Sequence, residues 1–300
     1  MSRPVVLGVD IGGSHITAAL VNLENGALIE GSIKRSAVDS KKDKATILDA
    51  WCDVINSVFE TSAQQEKHIG IAMPGPFDYE NGISLIKEQD KFNALYLVNI
   101  KEELANRLGI HLTDINFVND AAAFMQGEVF SGAAKGYNNV LGLTLGTGLG
   151  SALSINGQAS DAELWNSSFK NGIAEDYLST RWFVGRYQEL SGLTLDGVKE
   201  LAAIVETDDY AKQVFEEFGV SLAQFLIPII HKNKVEVVIL GGNIAQAIEH
   251  FCQSLSEELQ VNQLTIPFKL SELNEHASLI GAASNWNLVA HKTENITNEH

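Results

Sequence analysis

Asp10, Gly12 and Gly13 close the apolar run VVLGVDIGG (residues 5–13). Glycine has no Cβ, so its backbone N–H can approach a phosphate oxygen closely. Ser14 adds a hydroxyl donor beside the pair. The same ingredients return at Gly146, Thr147 and Gly148, directly after NVLGLTL (139–145). A third pair, Gly241-Gly242, ends the run VEVVIL (235–240). The chemistry these residue types offer is the holding of phosphate by backbone amides. Asp10 is placed either to hold Mg2+ near those phosphates, directly or through water, or to cap the turn. Asp120 follows INFVN (115–119) and precedes AAAF (121–124), at a strand-to-helix junction. A carboxylate there can take a proton from an acceptor hydroxyl. It can equally be a helix cap, a position that favours Asp.

The elements that must position these residues can be read around them. After the first glycine pair, ITAALVNL (16–23) has β-branched residues and an apolar bias. A dinucleotide-binding fold needs a helix at that point, so that reading fails. Asn25-Gly26 then signals a hairpin, and ALIEGSIK (27–34) resumes as a strand. Residues 139–158 repeat the plan, with Asn156-Gly157 closing the second hairpin. LGVDIGGSHITAAL can be laid over LGLTLGTGLGSAL. Such an internal repeat predicts two related halves, each presenting a glycine hairpin to a central cleft. The third glycine pair is expected to lead from a buried strand into an amphipathic helix through residue 255. Helical apolar spacing also marks 45–63 and 210–232, with a kink expected at Pro228 and Cys52 as a core residue.

The chain has 300 residues, 45% of them hydrophobic and 20% charged, which suits two modest domains. Its formal net charge of −17 argues against nucleic acid, which needs clustered Lys and Arg, but not against a nucleotide held by amides and metal. Cys52 and Cys252 stand far apart, with no CxxC pair and no disulfide framework, so a reducing cytoplasm is the expected home. No signal peptide or membrane span is read. The polar tail HKTENITNEH is expected to fray.

These motifs, in this order, resemble the actin-like ATPase superfamily that includes the hexokinases. More narrowly, the chain is similar to the ROK family (repressors, open reading frames and sugar kinases). The residues that carry the resemblance are Asp10-Ile11-Gly12-Gly13-Ser14, the stretch GIAMPGPFD from Gly70 to Asp78, and Asn119-Asp120-Ala121-Ala122-Ala123 with Gly127-Glu128. Leu145-Gly146-Thr147-Gly148-Leu149-Gly150 matches the second phosphate loop, Leu240-Gly241-Gly242 the adenosine loop, and Gly281-Ala282-Ala283 the C-terminal helix. The resemblance covers nearly the whole chain.

The resemblance implies an α/β, two-domain actin-like ATPase (ribonuclease H-like) fold with a central cleft. It implies ATP and Mg2+ as cofactors, Asp120 as the catalytic base, and Asn93, Asn119, Glu163, Asn166 and Glu175 as sugar-binding residues. Gly12, Gly13, Ser14, Gly146, Thr147, Gly148, Gly241 and Gly242 would hold nucleotide, and Asp10 the metal. A homodimer is the family's habit. Two departures stand out. The family's usual His is Asn166 here, with Trp165 beside it. The cysteine-rich zinc loop that should follow is replaced by FKNG (169–172), so no thiolate zinc site is expected and Trp165 is expected to order the loop by packing. The basic residue often found after the first glycine turn is His15.

The expected domains are 1–118 with 281–300, and 119–280. The final segment SLIGAASNWNLVAHK (278–292) is expected to pack on the first. The expected function is ATP-dependent phosphorylation of a hexose or N-acetylhexosamine hydroxyl. The alternatives are a sugar-sensing regulator of the same family, for which 1–5 leaves no room for a DNA-binding module, and a non-catalytic sugar-binding protein.

Overall fold

The computed structural model describes residues 5–61, 67–88 and 91–286. The chain divides into two compact units, Met1–Lys135 with Glu275–His300, and Gly136–Asn274.

The first unit is built on β1 (Val5–Ile11), which pairs antiparallel with β2 (His15–Asn22) in a register that sets Asp10 opposite Thr17. β3 (Ala27–Leu28) and β4 (Lys34–Ala37) both pair with β2. Helix α1 (Lys44–Phe59) starts at Asp43, whose side chain accepts from the Thr46 N–H. Its Ile47, Trp51 and Ile55 are fully buried, each contributing about 1.5–3 kcal/mol of hydrophobic stabilisation. Cys52 shares that core. β5 (Ile69–Met73) runs parallel to β1, a short hairpin of β6 (Phe77–Asp78) and β7 (Ile83–Ser84) follows, and then α2 (Ile100–Leu108). β8 (Ile115–Asn119) runs parallel to β5 and leads into α3 (Asp120–Ser131). The sheet order is β3-β2-β1-β5-β8.

The second unit repeats that order. β9 (Asn139–Leu145), β10 (Leu149–Ile155) and β11 (Gln158–Asp161) form an antiparallel meander. Asn156 and Gly157 both have positive φ, the backbone a two-residue type I′ turn demands. A small hairpin of β12 (Ser168–Phe169) and β13 (Gly172–Ile173) precedes α4 (Ala174–Tyr177), α5 (Thr180–Ser191) and α6 (Val198–Ile204). α7 (Asp209–Asn233) crosses the core, and Pro228 lies inside it without ending it, flanked by buried Phe225, Leu226 and Ile230. By length and composition α7 could cross a membrane, but 56% of that stretch is buried inside the protein. β14 (Val237–Gly241) adds parallel to β9, α8 (Cys252–Val261) follows, and β15 (Phe268–Leu270) completes the order β11-β10-β9-β14-β15. β1 and β9 even share one burial pattern, with Asp10 and Thr144 at the same position.

Two expectations are corrected. The segment after Gly242 is not one amphipathic helix. It is a 3-10 stretch, Ala245–His250, with Ala247 out of helical geometry, and α8 starts only after Phe251. Ile244 N–H is tied to the Leu145 carbonyl and Phe251 is buried edge-on against Phe218, so both ends of the stretch are pinned. The division of the chain falls after Lys135 and before Glu275, not after 118 and 280. The reason is α3. Residues 277–286 form a further helix, and α3 packs on it through Gly127 and Gly281. A Cβ on Gly281 would overlap the Ala123 carbonyl, and one on Gly127 the Ala277 carbonyl. Gly8 and Gly70 give the same helix room against β1 and β5. Residues 287–300, which hold the rest of the expected C-terminal segment and the polar tail, lie outside the described residues.

Candidate active site

In the first unit, β1, β5 and β8 are parallel, so their carboxyl ends lie on one edge of the sheet. In open α/β sheets that is the edge where ligands bind. Asp10 closes β1 there and Asp120 follows β8. Asn119, not Asp120, is the N-cap of α3: its side-chain oxygen accepts from the Ala122 N–H at 3.0 Å. Its amide nitrogen donates to the Tyr79 hydroxyl at 3.2 Å, and that hydroxyl donates to the Met73 carbonyl at 3.1 Å. Asn119, expected as a sugar contact, is therefore first of all a piece of framework. Asp120 occupies the first helical turn, accepting from the Ala121 N–H at 2.9 Å.

Asp10 is half-buried, and its carboxyl is pushed up to about 6. The largest cause is desolvation by the protein around it; the charge of Asp120 comes next, Arg35 opposes, and Glu275 adds. A cavity of about 430 Å³ in this unit is lined by Asp10, Gly12, Ser14, His15, Arg35 and His276, among others. The Ser14 hydroxyl and His15 Nδ1 are 2.9 Å apart. A carboxyl crowded by a second carboxyl is a place where a cation is favoured. Among the described residues no group of three or more His, Cys, Asp or Glu could hold a metal ion. Mg2+ commonly relies on one or two carboxylates plus water and phosphate oxygens, and the Asp10 surroundings fit that mode.

Asn93 is exposed at the start of a 3-10 turn. It is displayed by Phe92, a fully buried residue held in the left-handed region (φ 56°) and packed edge-on against Trp51 at 5.5 Å. A bulky residue there is an outlier that its surroundings must enforce.

In the second unit the hairpin 146–148 is clasped by later residues. Glu175 Oε2 accepts from the Leu149 N–H at 3.0 Å, and Arg181 lies 3.5 Å from Glu175 Oε1. The Thr180 N–H and hydroxyl both donate to the Gly146 carbonyl, at 2.8 and 3.0 Å. A Cβ on Gly148 would stand 2.7 Å from Glu175 Oε2, whereas one on Gly146 would meet open space. Gly242, at φ 86°, packs on the Leu145 backbone. Gly241 pairs with Thr144. Glu163 and Asn166 are exposed at either end of a 3-10 turn tied to β10 by the bond from Leu164 N–H to the Ser151 hydroxyl, 2.9 Å. Trp165 is 46% exposed and does not order this loop. Phe169 does, edge-on to Tyr177 and Phe225. A larger cavity, about 810 Å³, lies in this unit along Lys170, Asp176, Tyr177, Trp182 and Arg186, and none of the expected site residues lines it.

Sequence reasoning missed Tyr79, Arg35, His276, Lys91, Lys170 and Thr180. Lys91 would be in contact with a Cβ on Gly13, at 3.4 Å. Only the charge of Lys91 beside Asn93 offered a signal. The others act through contacts between distant segments.

A model of the ROK family matches residues 6–162 and 170–288. The chain belongs to the ROK family. The matched stretches leave out 163–169, the segment that holds Glu163, Trp165 and Asn166. The ROK chain is 29% identical to a glucokinase of Thermotoga maritima, over 95% of its own length and 98% of that protein's. It is 23% identical to an N-acetyl-D-glucosamine kinase of Mannheimia succiniciproducens, over 93% and 98%. Its fold matches a glucokinase structure from Parabacteroides distasonis with a TM-score of 0.79 at 20% identity, covering 96% and 98%. The α/β fold with two repeated sheets is thus the ROK, actin-like ATPase fold.

Proposed function

We propose that this protein transfers the γ-phosphoryl group of ATP to a hydroxyl of a hexose or N-acetylhexosamine, with Asp120 as general base. The observation that carries the reading is the pairing of duties at the β8–α3 junction. Asn119 caps the helix, so Asp120 is not needed for the cap and stands at the ligand-binding edge of the sheet beside Asp10. The names of the two curated relatives supply the substrate class.

In this reading Asp120 accepts the proton of the attacking hydroxyl, which needs a heavy-atom distance of roughly 2.6–3.2 Å in the complex. Asp10 would hold Mg2+, which when bound would neutralise phosphate charge. The backbone N–H groups of Gly13, Ser14, Thr147 and Gly148 bind phosphate oxygens, those of Gly12 and Gly146 being spent on the His15 and Gly148 carbonyls, and Gly241-Gly242 faces the adenosine. Asn93, Glu163, Asn166 and Glu175 bind sugar hydroxyls. Phosphoryl transfer asks mostly for positioning and charge stabilisation, which is what such a residue set provides.

A coupled ADP-release assay over hexoses and N-acetylhexosamines tests it. Turnover of at least one sugar that depends on ATP and Mg2+ is expected. ATP binding with no turnover on any of them would leave a sugar-binding relative in its place.

A further inference from the structure

We propose that Lys170 is a positioning residue for this site: its ammonium locks the β12–β13 hairpin onto helix α7 and thereby holds Asn166 on one side and Glu175 on the other. The inference rests on the sugar-kinase reading above for the consequence, and on contacts within the second unit for the lock itself.

Lys170 sits at the tip of the hairpin with φ 50°, a left-handed conformation uncommon for Lys. Its Nζ donates to the Ser221 hydroxyl at 2.7 Å. Ser221 lies on α7, is 2% exposed, and its hydroxyl donates to the Glu217 carbonyl at 2.8 Å. The same ammonium stands 5.4 Å from the Phe169 ring centre and 5.2 Å from that of Tyr177, within cation–π range of both. The residue as a whole is exposed, so it is the ammonium end that is seated. Desolvation of that end lowers its pKa, with Glu217 opposing.

The lock reaches the site residues through short, rigid connections. Toward the N-terminus, the Ala174 N–H donates to the Ser167 carbonyl at 2.9 Å, closing the hairpin on the turn that ends with Asn166. Toward the C-terminus, the Asn171 N–H reaches the Tyr177 hydroxyl at 3.3 Å and the Ile173 N–H reaches Asp176 Oδ2 at 3.1 Å. Those bonds fasten α4, which carries Glu175, and Glu175 in turn holds the Leu149 N–H at the phosphate hairpin. A lysine at the tip therefore governs a segment whose two ends are both assigned to substrate.

The test compares wild type with Lys170→Met, which keeps the stem and removes the charge, and Lys170→Arg, which keeps the charge. Small displacements of positioning groups cost up to about a hundredfold. We expect the sugar KM of Lys170→Met to rise by roughly tenfold or more, with kcat changed far less, and Lys170→Arg to recover most of the loss. Hydrogen exchange is read in parallel. The amides of Ile173 and Ala174 should exchange faster in Lys170→Met, whether or not any sugar is turned over. Should that variant fail to fold, Ser221→Ala removes the acceptor and leaves Lys170 in place, and the same two readouts apply. Faster exchange with no turnover in wild type would sink the kinase reading and leave the lock standing. Unchanged exchange at 173–174 would overturn the lock. Faster exchange with an unchanged KM in an active enzyme would overturn the positioning role.

Discussion

Asp10 and Asp120 stand one strand either side of β5, at the carboxyl ends of β1 and β8, and the charge on Asp120 raises the cost of charging Asp10. Two strand spacings put their backbones roughly 10 Å apart. In the proposed function this pair supplies the cation holder and the base from one sheet edge.

The raised Asp10 pKa has a sign that can be measured. With its folded value near 6 and its ordinary value at 3.8, the stability Asp10 contributes is complete below about 4 and is lost as pH rises through about 6. Metal-free Asp10→Asn should therefore gain on wild type above pH 6, by no more than about 3 kcal/mol, and show little difference at pH 4. Thermal melts in chelator at pH 4 and pH 8 check this. Equal melting temperatures at pH 8 would remove the burial argument.

The same protonation competes with Mg2+. Apparent Mg2+ affinity, read from ATP titrations at varied metal, should fall as pH drops below about 6, by up to about tenfold per unit. A flat profile between pH 5 and 7 would take Asp10 out of the metal site.

Gly146 separates phosphate binding from folding better than Gly148. A side chain at 148 strikes Glu175, so Gly148→Val disturbs the clasp itself. A Cβ at 146 meets nothing within 4 Å. Gly146→Val should melt near wild type while ATP affinity falls by about tenfold or more, a loss of roughly 1.4 kcal/mol. Isothermal titration with unchanged ATP affinity would show that 146–148 is not a phosphate loop.

Asn119 carries the cap, and its loss should register in stability. Asn119→Ala removes the bond to Ala122 and the partner of Tyr79, and should cost roughly 1–2 kcal/mol. Asn119→Asp keeps the cap and should recover most of that cost in urea denaturation. If Ala and Asp variants were equally stable, the cap would carry no weight.

Much of this was legible in the sequence, for local reasons. Asn156-Gly157 names its own turn, because both residues adopt positive φ. The overlay of the two glycine hairpins anticipates two sheets of one topology, since strand order follows from hairpins and crossovers. The illegible parts depend on contacts between distant segments. Nothing near Gly127 or Gly281 announces that each faces the other's helix. Trp165 looked like the anchor of its loop, but its ring is exposed and Phe169 is the anchor, because Tyr177 and Phe225 form a socket that only the fold assembles. Asp120 read as cap or base until the fold gave the cap to Asn119.

The most direct measurement is steady-state turnover of Asp120→Asn on the best sugar, with the melting temperature of the same sample. Asn keeps the size and can still hydrogen-bond the hydroxyl, but cannot take its proton. General-base catalysis contributes about 10²–10⁴-fold, so turnover should fall by that much or more. The melting temperature should stay near wild type, because Asn119 still caps α3. Near-normal turnover in the Asn variant would contradict the account and remove Asp120 from the mechanism.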